Sequence, residues 1–494
     1  MKKDRRDFLK IAALAASTIN STTAQAATQR SPRRVKDGSV PQNVILIICD
    51  DLGYGDLGSY GSQLPTPNLD RLAQEGMRFT RCNSGHPICS AARAALLTGR
   101  YAQRSHTLGA YFPDSPTGMD LSETTLADLF RAKGFRTQAI GKWHLGDGPE
   151  YLPTARGFDA WFGVPYSDDM APLPLMRGTT KIDQDTDRTL LTPRYTEEVV
   201  KFLDGSAAQP FFLYLAYSYP HDPARASARF RGRSGFGDYG DSVMEIDWSV
   251  GEIIHSLKSK NQFDDTLLIF TSDHGPWFQG SPGTLRGRKG STFEGGFRVP
   301  LMAHWTQGIA PAVAEEWVSN MDWVPTLTTL CGLPPSPNPL DGRDLSAKLR
   351  GGNAPQDRDT VLYFMPSGDA NKQCHCARKG DWKLRFAQID GEIYVNDHTM
   401  GHIGYRLPNL ELYNLRTDPL ESYSCAAQHP EIIREIMADV DRILATMPPE
   451  TVETNRKLRL NAASHHTPPG ACPRVRHNPP LPAQPFEPSD RSDT

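Results

Sequence analysis

After its N-terminal segment the sequence contains no apolar run of about 20 residues, the length a helix needs to span a bilayer, so no stable membrane insertion is expected. It lacks a charge excess as well: 54 lysines and arginines against 57 aspartates and glutamates leave a formal charge of −3. Nucleic-acid partners are therefore not expected, because they require a basic surface. No internal repeat stands out, which sets aside a repeat architecture. Cysteine is sparse, eight in 494 residues, enough for a few disulfides or none. Cys49 ends an apolar run and Cys331 follows a helical pattern, so both read as small buried hydrophobes. Cys374, Cys376, Cys425 and Cys472 lie in the C-terminal third, where an oxidising compartment could pair some of them. Spacing assigns no partners, to these or to Cys82.

What is present is enough for a large domain and a smaller one, with Trp, Phe and Leu spread along most of the chain. The first 26 residues stand apart. Arg5 and Arg6 precede Phe8, Leu9 and a short apolar run from Ile11 to Ala16, and "AQA" ends at Ala26. The segment resembles a bacterial twin-arginine export signal with a small-residue cleavage site. It implies a periplasmic or secreted protein handed to the Tat translocase, with any modification made before export because that route moves folded cargo.

Four continuous apolar runs read as parallel strands buried on both faces. Val44 to Cys49 delivers Asp50 and Asp51, "TQAIGKWHLG" delivers Lys142 and His144, Phe211 to Tyr217 leads to His221, and Leu267 to Phe270 leads to Asp273 and His274. Helices punctuated by Thr66-Pro67 and Gly76, and by Thr192-Pro193 and Gly205, lie between them. The alternation predicts an α/β domain over 41–355, with a large, mostly parallel sheet flanked by helices. In such sheets ligands bind beyond the carboxyl ends of the strands. From about Asp359 the texture changes. Trp382, Leu384 and Phe386 alternate with charged residues, as in a half-solvated antiparallel strand, "NLELYNLRTDPLE" adds a second strand and turn, and Ile433 to Ile443 marks a closing helix. A smaller α+β subdomain over 356–446 is expected, followed by an extended or poorly ordered proline-rich tail, 447–494.

Asp50, Asp51 and Asp273 at adjacent strand ends would repel one another unless a cation neutralised them, and carboxylates favour Ca²⁺ or Mg²⁺. His274 adds a nitrogen and keeps Mn²⁺ open. A two-zinc site would want more histidines, so one metal is expected. Arg93, Lys142, His144, His221 and Lys289 bring hydrogen-bond donors to the same end, a set suited to a tetrahedral oxyanion. Singly each has a bland reading, a solvated lysine or a packed core histidine. Their shared position favours anion binding.

Cys89 opens "CSAAR", which resembles the sulfatase signature C-x-[PA]-x-R. With "LLTGR", "GKWHLG", "LPTARGFD", "SDHG" and "GRKGSTFEGGFRVP" the likeness extends from Pro41 to about Cys425. "GVPYSDDM" and "YGDSVMEIDWSVG" are similar to the arylsulfatase A and N-acetylgalactosamine-6-sulfatase branch. Ala91 stands where many members have proline, and His274 where several have asparagine.

The resemblance implies an alkaline-phosphatase-like fold and hydrolysis of aryl sulfates or sulfated carbohydrates. Cys89 is then converted to formylglycine (3-oxoalanine) by a formylglycine-generating enzyme. The implied metal ligands are Asp50, Asp51, residue 89, Asp273 and His274. A hydrate oxygen of residue 89, held by Arg93, attacks sulfur while the metal, Lys142 and Lys289 neutralise the sulfate. His221 protonates the leaving group, and His144 takes the proton that lets the aldehyde reform and expel sulfate. Ser167 adds a substrate contact. A phosphatase or phosphonate monoester hydrolase on the same scaffold, and a non-catalytic glycan-binding protein, are the alternatives.

Overall fold

The four apolar runs lie side by side in one sheet. The computed structural model describes residues 38–205, 209–353, 360–364, 372–386, 392–396, 399–403 and 410–463, so the export signal and Cys472 lie outside the described residues. In chain order the strands of the large sheet are β1 (Asn43–Cys49), β2 (Met77–Asn83), β3 (Arg136–Lys142), β4 (Ala160–Val164), β5 (Leu175–Arg177), β6 (Thr180–Asp183), β7 (Phe211–Ala216), β8 (Thr266–Ser272), β9 (Arg298–His304), β10 (Ala312–Ala314) and β11 (Val318–Ser319). Their spatial order is β10-β2-β9-β8-β1-β7-β3-β4-β5-β6, with β11 also on β2. The central run β8-β1-β7-β3-β4 is parallel, and antiparallel pairs occur toward both edges.

Alternation along β1 explains the layers, since successive side chains leave opposite faces of a strand. Val44, Leu46 and Ile48 enter one core with Leu96 and Leu97 of the Cys89–Thr98 helix and Trp323 and Leu327 of the Trp323–Cys331 helix. Ile45, Ile47 and Cys49 enter the other, with Leu69, Val199 and Val250 from the helices Pro67–Glu75, Leu191–Asp204 and Gly237–Ser259. Helices thus cover both faces of the sheet. Gly141, just before Lys142, is sterically required: it has φ +105°, and a Cβ there would sit 1.9 Å from the carbonyl oxygen of Ala216 on β7.

A second, antiparallel sheet follows the order β12 (Val361–Phe364), β13 (Cys374–Lys379), β14 (Trp382–Arg385) and β17 (Glu411–Asn414), and β15 (Glu392–Asn396) pairs with β16 (Thr399–Ile403) apart from it. The Pro430–Leu444 helix lays Ile436, Val440 and Leu444 on this sheet, in a core that also takes Tyr101 and Met321 from the large domain. Two expectations need correction. The charged face of β14 is not solvated: Lys383 and Arg385 are fully buried. Lys383 Nζ lies 3.1 Å from Glu294 Oε1 and 3.0 Å from Glu421 Oε1, and the Arg385 guanidinium sits 3.8 Å from the Phe293 ring centroid. Alternation looks the same whether the polar face meets water or a partner of opposite charge. The tail also begins as a helix, Pro449–Ala463, because Asn455 ties it down by accepting the Cys374 backbone N–H at 2.9 Å and donating to the Lys372 carbonyl at 2.7 Å.

Lys383→Ala would leave Glu294 and Glu421 buried without their shared cation. We expect it to lower the unfolding free energy by about 3–5 kcal/mol, read from the urea midpoint, and an unchanged midpoint would show the cluster to be dispensable.

Candidate functional site

The polar residues that follow β1, β3, β7 and β8 meet at the carboxyl edge of the sheet. Register places them there: Cys49 pairs with Ser272, which sets Asp50 beside Asp273, and Ile48 pairs with Ala216 on β7. Asp51 takes φ +62° and His144 φ +60°, left-handed conformations uncommon for residues with a Cβ. Hydrogen bonds hold both turns. Asp51 N–H donates to Asp273 Oδ1 at 3.2 Å, and His144 N–H donates to the Pro165 carbonyl at 3.0 Å.

Cys89 is the first residue of the Cys89–Thr98 helix, all ten residues of which are buried. Alanines at 91, 92, 94 and 95 favour the helix and keep it slim enough to pack in the core. Arg93, one turn on, points its guanidinium at the acidic group: Nη2 lies 3.1 Å from Asp273 Oδ2 and 3.4 Å from Asp50 Oδ1, and Nη1 donates to the Lys142 carbonyl at 3.2 Å.

Each carboxylate has its own cations. Lys142 Nζ donates to Asp50 Oδ2 and, at 2.9 Å, to Ser167 Oγ. Lys289 Nζ donates to both oxygens of Asp51 at 2.8 and 2.9 Å. Burial alone would raise the carboxyl pKa of Asp50, but Lys142 and Arg93 overcome it and hold that group well below the usual range. Asp51 is lowered against the same penalty by Lys289, His221 and His274. At Asp273 burial prevails and the pKa is raised.

Asp50, Asp51, Cys89 and His274 each offer a ligand atom, and these atoms lie within 4.8 Å of one another. His274 Nε2 is 3.2 Å from Cys89 Sγ and 3.5 Å from Asp51 Oδ1. Its Nδ1 is 2.9 Å from the Gly275 carbonyl; as that oxygen only accepts, Nδ1 carries the proton and Nε2 is the ligating nitrogen. Asp50 Oδ1 is buried and receives no hydrogen bond among the described residues. Two carboxylates, one of them with an oxygen that accepts no hydrogen bond, and an imidazole nitrogen fit a single hard or borderline divalent cation. Asp273 lies at the rim of this group, with Oδ1 3.6 Å from His274 Nε2 and engaged by the N–H groups of Asp51 and His274.

The thiol itself fits that cation poorly. Burial pushes the Cys89 pKa up, against the pull of Lys289, and a protonated thiol is neither a hard ligand nor a strong nucleophile. The two remaining histidines differ. His144 Nε2 is 2.9 Å from the Tyr111 carbonyl, which fixes the proton on Nε2 and leaves Nδ1 a base nitrogen. Burial and Lys142 hold its pKa well below the usual histidine value. His221 is raised, because Asp51, Asp50 and Asp168 outweigh burial and Lys289. Its Nε2 lies 3.9 Å from Asp51 Oδ2 and its Nδ1 3.3 Å from Asp168 Oδ1.

Of the residues singled out from sequence, Asp50, Asp51, Cys89, Arg93, Lys142, Ser167, His221, Asp273, His274 and Lys289 are linked in one cluster, with His144 two residues beyond Lys142, and two further residues adjoin it. Asp168 was hidden by adjacency to Ser167, and its signal was a second carboxylate pair following a strand. His86, fully buried three residues before Cys89, has a pKa lowered to about 3 by burial and gave no signal as a lone histidine.

Topology and charge pattern together define a class, α/β hydrolases that act on esters of a tetrahedral oxyanion. Residues 42–333 match the family described as Sulfatase. The chain belongs to that family, and it is a sulfuric ester hydrolase. It is 36% identical over 485 residues to human arylsulfatase A, covering 88% of this chain and 94% of that one. With mouse N-acetylgalactosamine-6-sulfatase it shares 39% over 358 residues, 65% of this chain and 69% of the relative. Among solved structures, a protein from work on the metabolism of multiple glycosaminoglycans by Bacteroides thetaiotaomicron superposes with a TM-score of 0.75 at 26% identity, covering 82% of this chain and 99% of that one.

Ca²⁺ added to chelator-treated protein should raise the thermal midpoint, with a stabilisation of about 2.7 kcal/mol at a hundredfold excess over Kd. Asp51→Asn and His274→Ala should each remove most of that rise in scanning calorimetry. A rise preserved in both variants would place the cation elsewhere.

Proposed function

We propose that this chain is an exported sulfatase that releases inorganic sulfate from aryl sulfates or sulfated carbohydrates, using formylglycine made from Cys89 and one divalent cation, Ca²⁺ before Mg²⁺ or Mn²⁺. One observation carries the reading: Cys89 Sγ stands 3.2 Å from His274 Nε2, inside a carboxylate group ringed by Lys142, Lys289, Arg93 and His221. The cation would be held by Asp50, Asp51, residue 89 and His274, with Asp273 beside them, and would supply Lewis-acid polarisation. Formylglycine would supply a hydrated aldehyde oxygen in place of a thiol that burial keeps protonated.

The side chains divide the remaining work. An ammonium has three donors; Lys142 uses two on Asp50 and Ser167, leaving one for a sulfate oxygen. Lys289 is held at the cluster through Asp51. As the S–O bond to the alcohol breaks, His221 Nε2 gives the departing oxygen its proton. His144, neutral with Nδ1 as its base nitrogen, accepts the proton released when sulfate is expelled. Arg93 orients residue 89, and Ser167 adds a substrate contact through its hydroxyl.

We read 41–355 as the catalytic domain and 356–446 as a subdomain that shapes substrate access. The glycosaminoglycan setting of the Bacteroides thetaiotaomicron relative supports a sulfated carbohydrate as natural substrate. Residues 1–26 support twin-arginine export to the periplasm or beyond, with the Tat translocase and a cytoplasmic formylglycine-generating enzyme as partners.

The test pairs chemistry with mass. The active protein should show residue 89 with one oxygen in place of a sulfur and two hydrogens, and Cys89→Ala should reduce kcat by more than about 10³-fold. Across nitrophenyl sulfate, phosphate and phosphonate esters, kcat/KM should be highest for sulfate. Full activity with an unmodified thiol, or a preference for phosphorus esters, would overturn the reading.

A further inference from the structure

We propose that Asp168 is the positioning residue of His221: its carboxylate holds the imidazole with Nδ1 turned to Asp168 and Nε2 turned to the ester. This rests on the sulfatase reading above and extends it by one residue. Asp168 is buried, and its Oδ1 lies 3.3 Å from His221 Nδ1. Apart from this imidazole, no described group hydrogen-bonds to either of its oxygens. A buried carboxylate needs a charged or donating partner, and the imidazole is the one within reach. The backbone there is fixed, because Arg188 Nε donates to the Asp168 carbonyl at 2.8 Å. Next to it, Ser167 Oγ accepts from Lys142 Nζ. Two successive residues after β4 thus hold two different cationic groups of the site, Lys142 and His221.

The chemical consequence follows from what an acceptor can do. A carboxylate oxygen only accepts, so the ring presents an N–H at Nδ1. Nε2 is then the nitrogen left to face the cluster, 3.9 Å from Asp51 Oδ2. With a neutral side chain at 168 nothing selects that orientation, and proton delivery to the leaving oxygen suffers. The defect must grow with the basicity of the leaving group, since an alkoxide needs protonation and a nitrophenolate hardly does.

Asp168→Asn should lower kcat about 10²-fold on a sugar or alkyl sulfate and less than about tenfold on 4-nitrophenyl sulfate. His221→Asn should show the same split, and the double variant no further loss. In protein labelled with ¹⁵N-histidine, a downfield ring N–H resonance, assigned by its loss in His221→Asn, should disappear in Asp168→Asn. Asp168→Ser repeats the measurements should the asparagine variant fail to fold. Equal losses on both esters, an unmoved resonance, or a drop in bound-cation stoichiometry would overturn the proposal, the last by assigning Asp168, Asp169 and His221 to a second cation. If the unmodified sequence hydrolyses no sulfate ester, the sulfatase reading fails while the resonance still decides the Asp168–His221 pair.

Discussion

Two adjacent carboxylates, Asp50 and Asp51, leave the end of β1 fully buried, and the surrounding structure is arranged to make that tolerable. A buried charge without a partner is strongly destabilising. Here the partners come from different parts of the chain: Lys142 from β3, Arg93 from the Cys89–Thr98 helix, Lys289 from the loop after β8, His221 from beyond β7 and His274 from beyond β8. β1 lies between β8 and β7 with β3 one strand further, which brings four strand ends within reach of one point. The left-handed backbone at Asp51 adds strain of about 1–3 kcal/mol, tolerable because its N–H is bonded to Asp273 and its carbonyl to Tyr239.

The small sheet belongs to this arrangement. Segment 286–298 carries Lys289 and is clamped to the C-terminal part at several points. Arg286 Nη1 donates to the Glu421 carbonyl at 2.9 Å, the Glu294 N–H donates to Glu421 Oε2 at 2.7 Å, and Lys383 bridges the two glutamates. Charges that look solvent-bound along β14 therefore fix the loop that supplies one of the site's lysines.

This explains what could and could not be read in advance. Strands buried on both faces announce themselves as unbroken apolar runs, so β1, β7, β8 and the residues that follow them were legible, as was the helix opened by Cys89; β3, Arg136–Lys142, is apolar only over Ala139–Gly141 and was legible chiefly through the Lys142 and His144 that close it. Their convergence followed from parallel topology. The buried face of β14 was not legible, because period-two alternation records polarity and says nothing of what covers it. Asp168 was missed for a related reason: its significance depends on His221, 53 residues away in sequence, and only the pairing of β3 with β4 and β7 brings them together. The Pro449–Ala463 helix was masked by the prolines around it, although one at a helix's first position is compatible with helix.

The same electrostatics bears on the form in which residue 89 works. The surrounding positive charge would normally favour a thiolate, yet burial outweighs it and Asp50 and Asp273 oppose it. A thiol held neutral next to two carboxylates contributes nothing to their neutralisation and competes poorly for a cation that prefers oxygen. An oxygen-bearing side chain at this position would resolve the second difficulty, since it can ligate the cation, and the cation in turn would neutralise the carboxylates. The proposed conversion of Cys89 would therefore suit residue 89 to the cation that the two buried carboxylates call for.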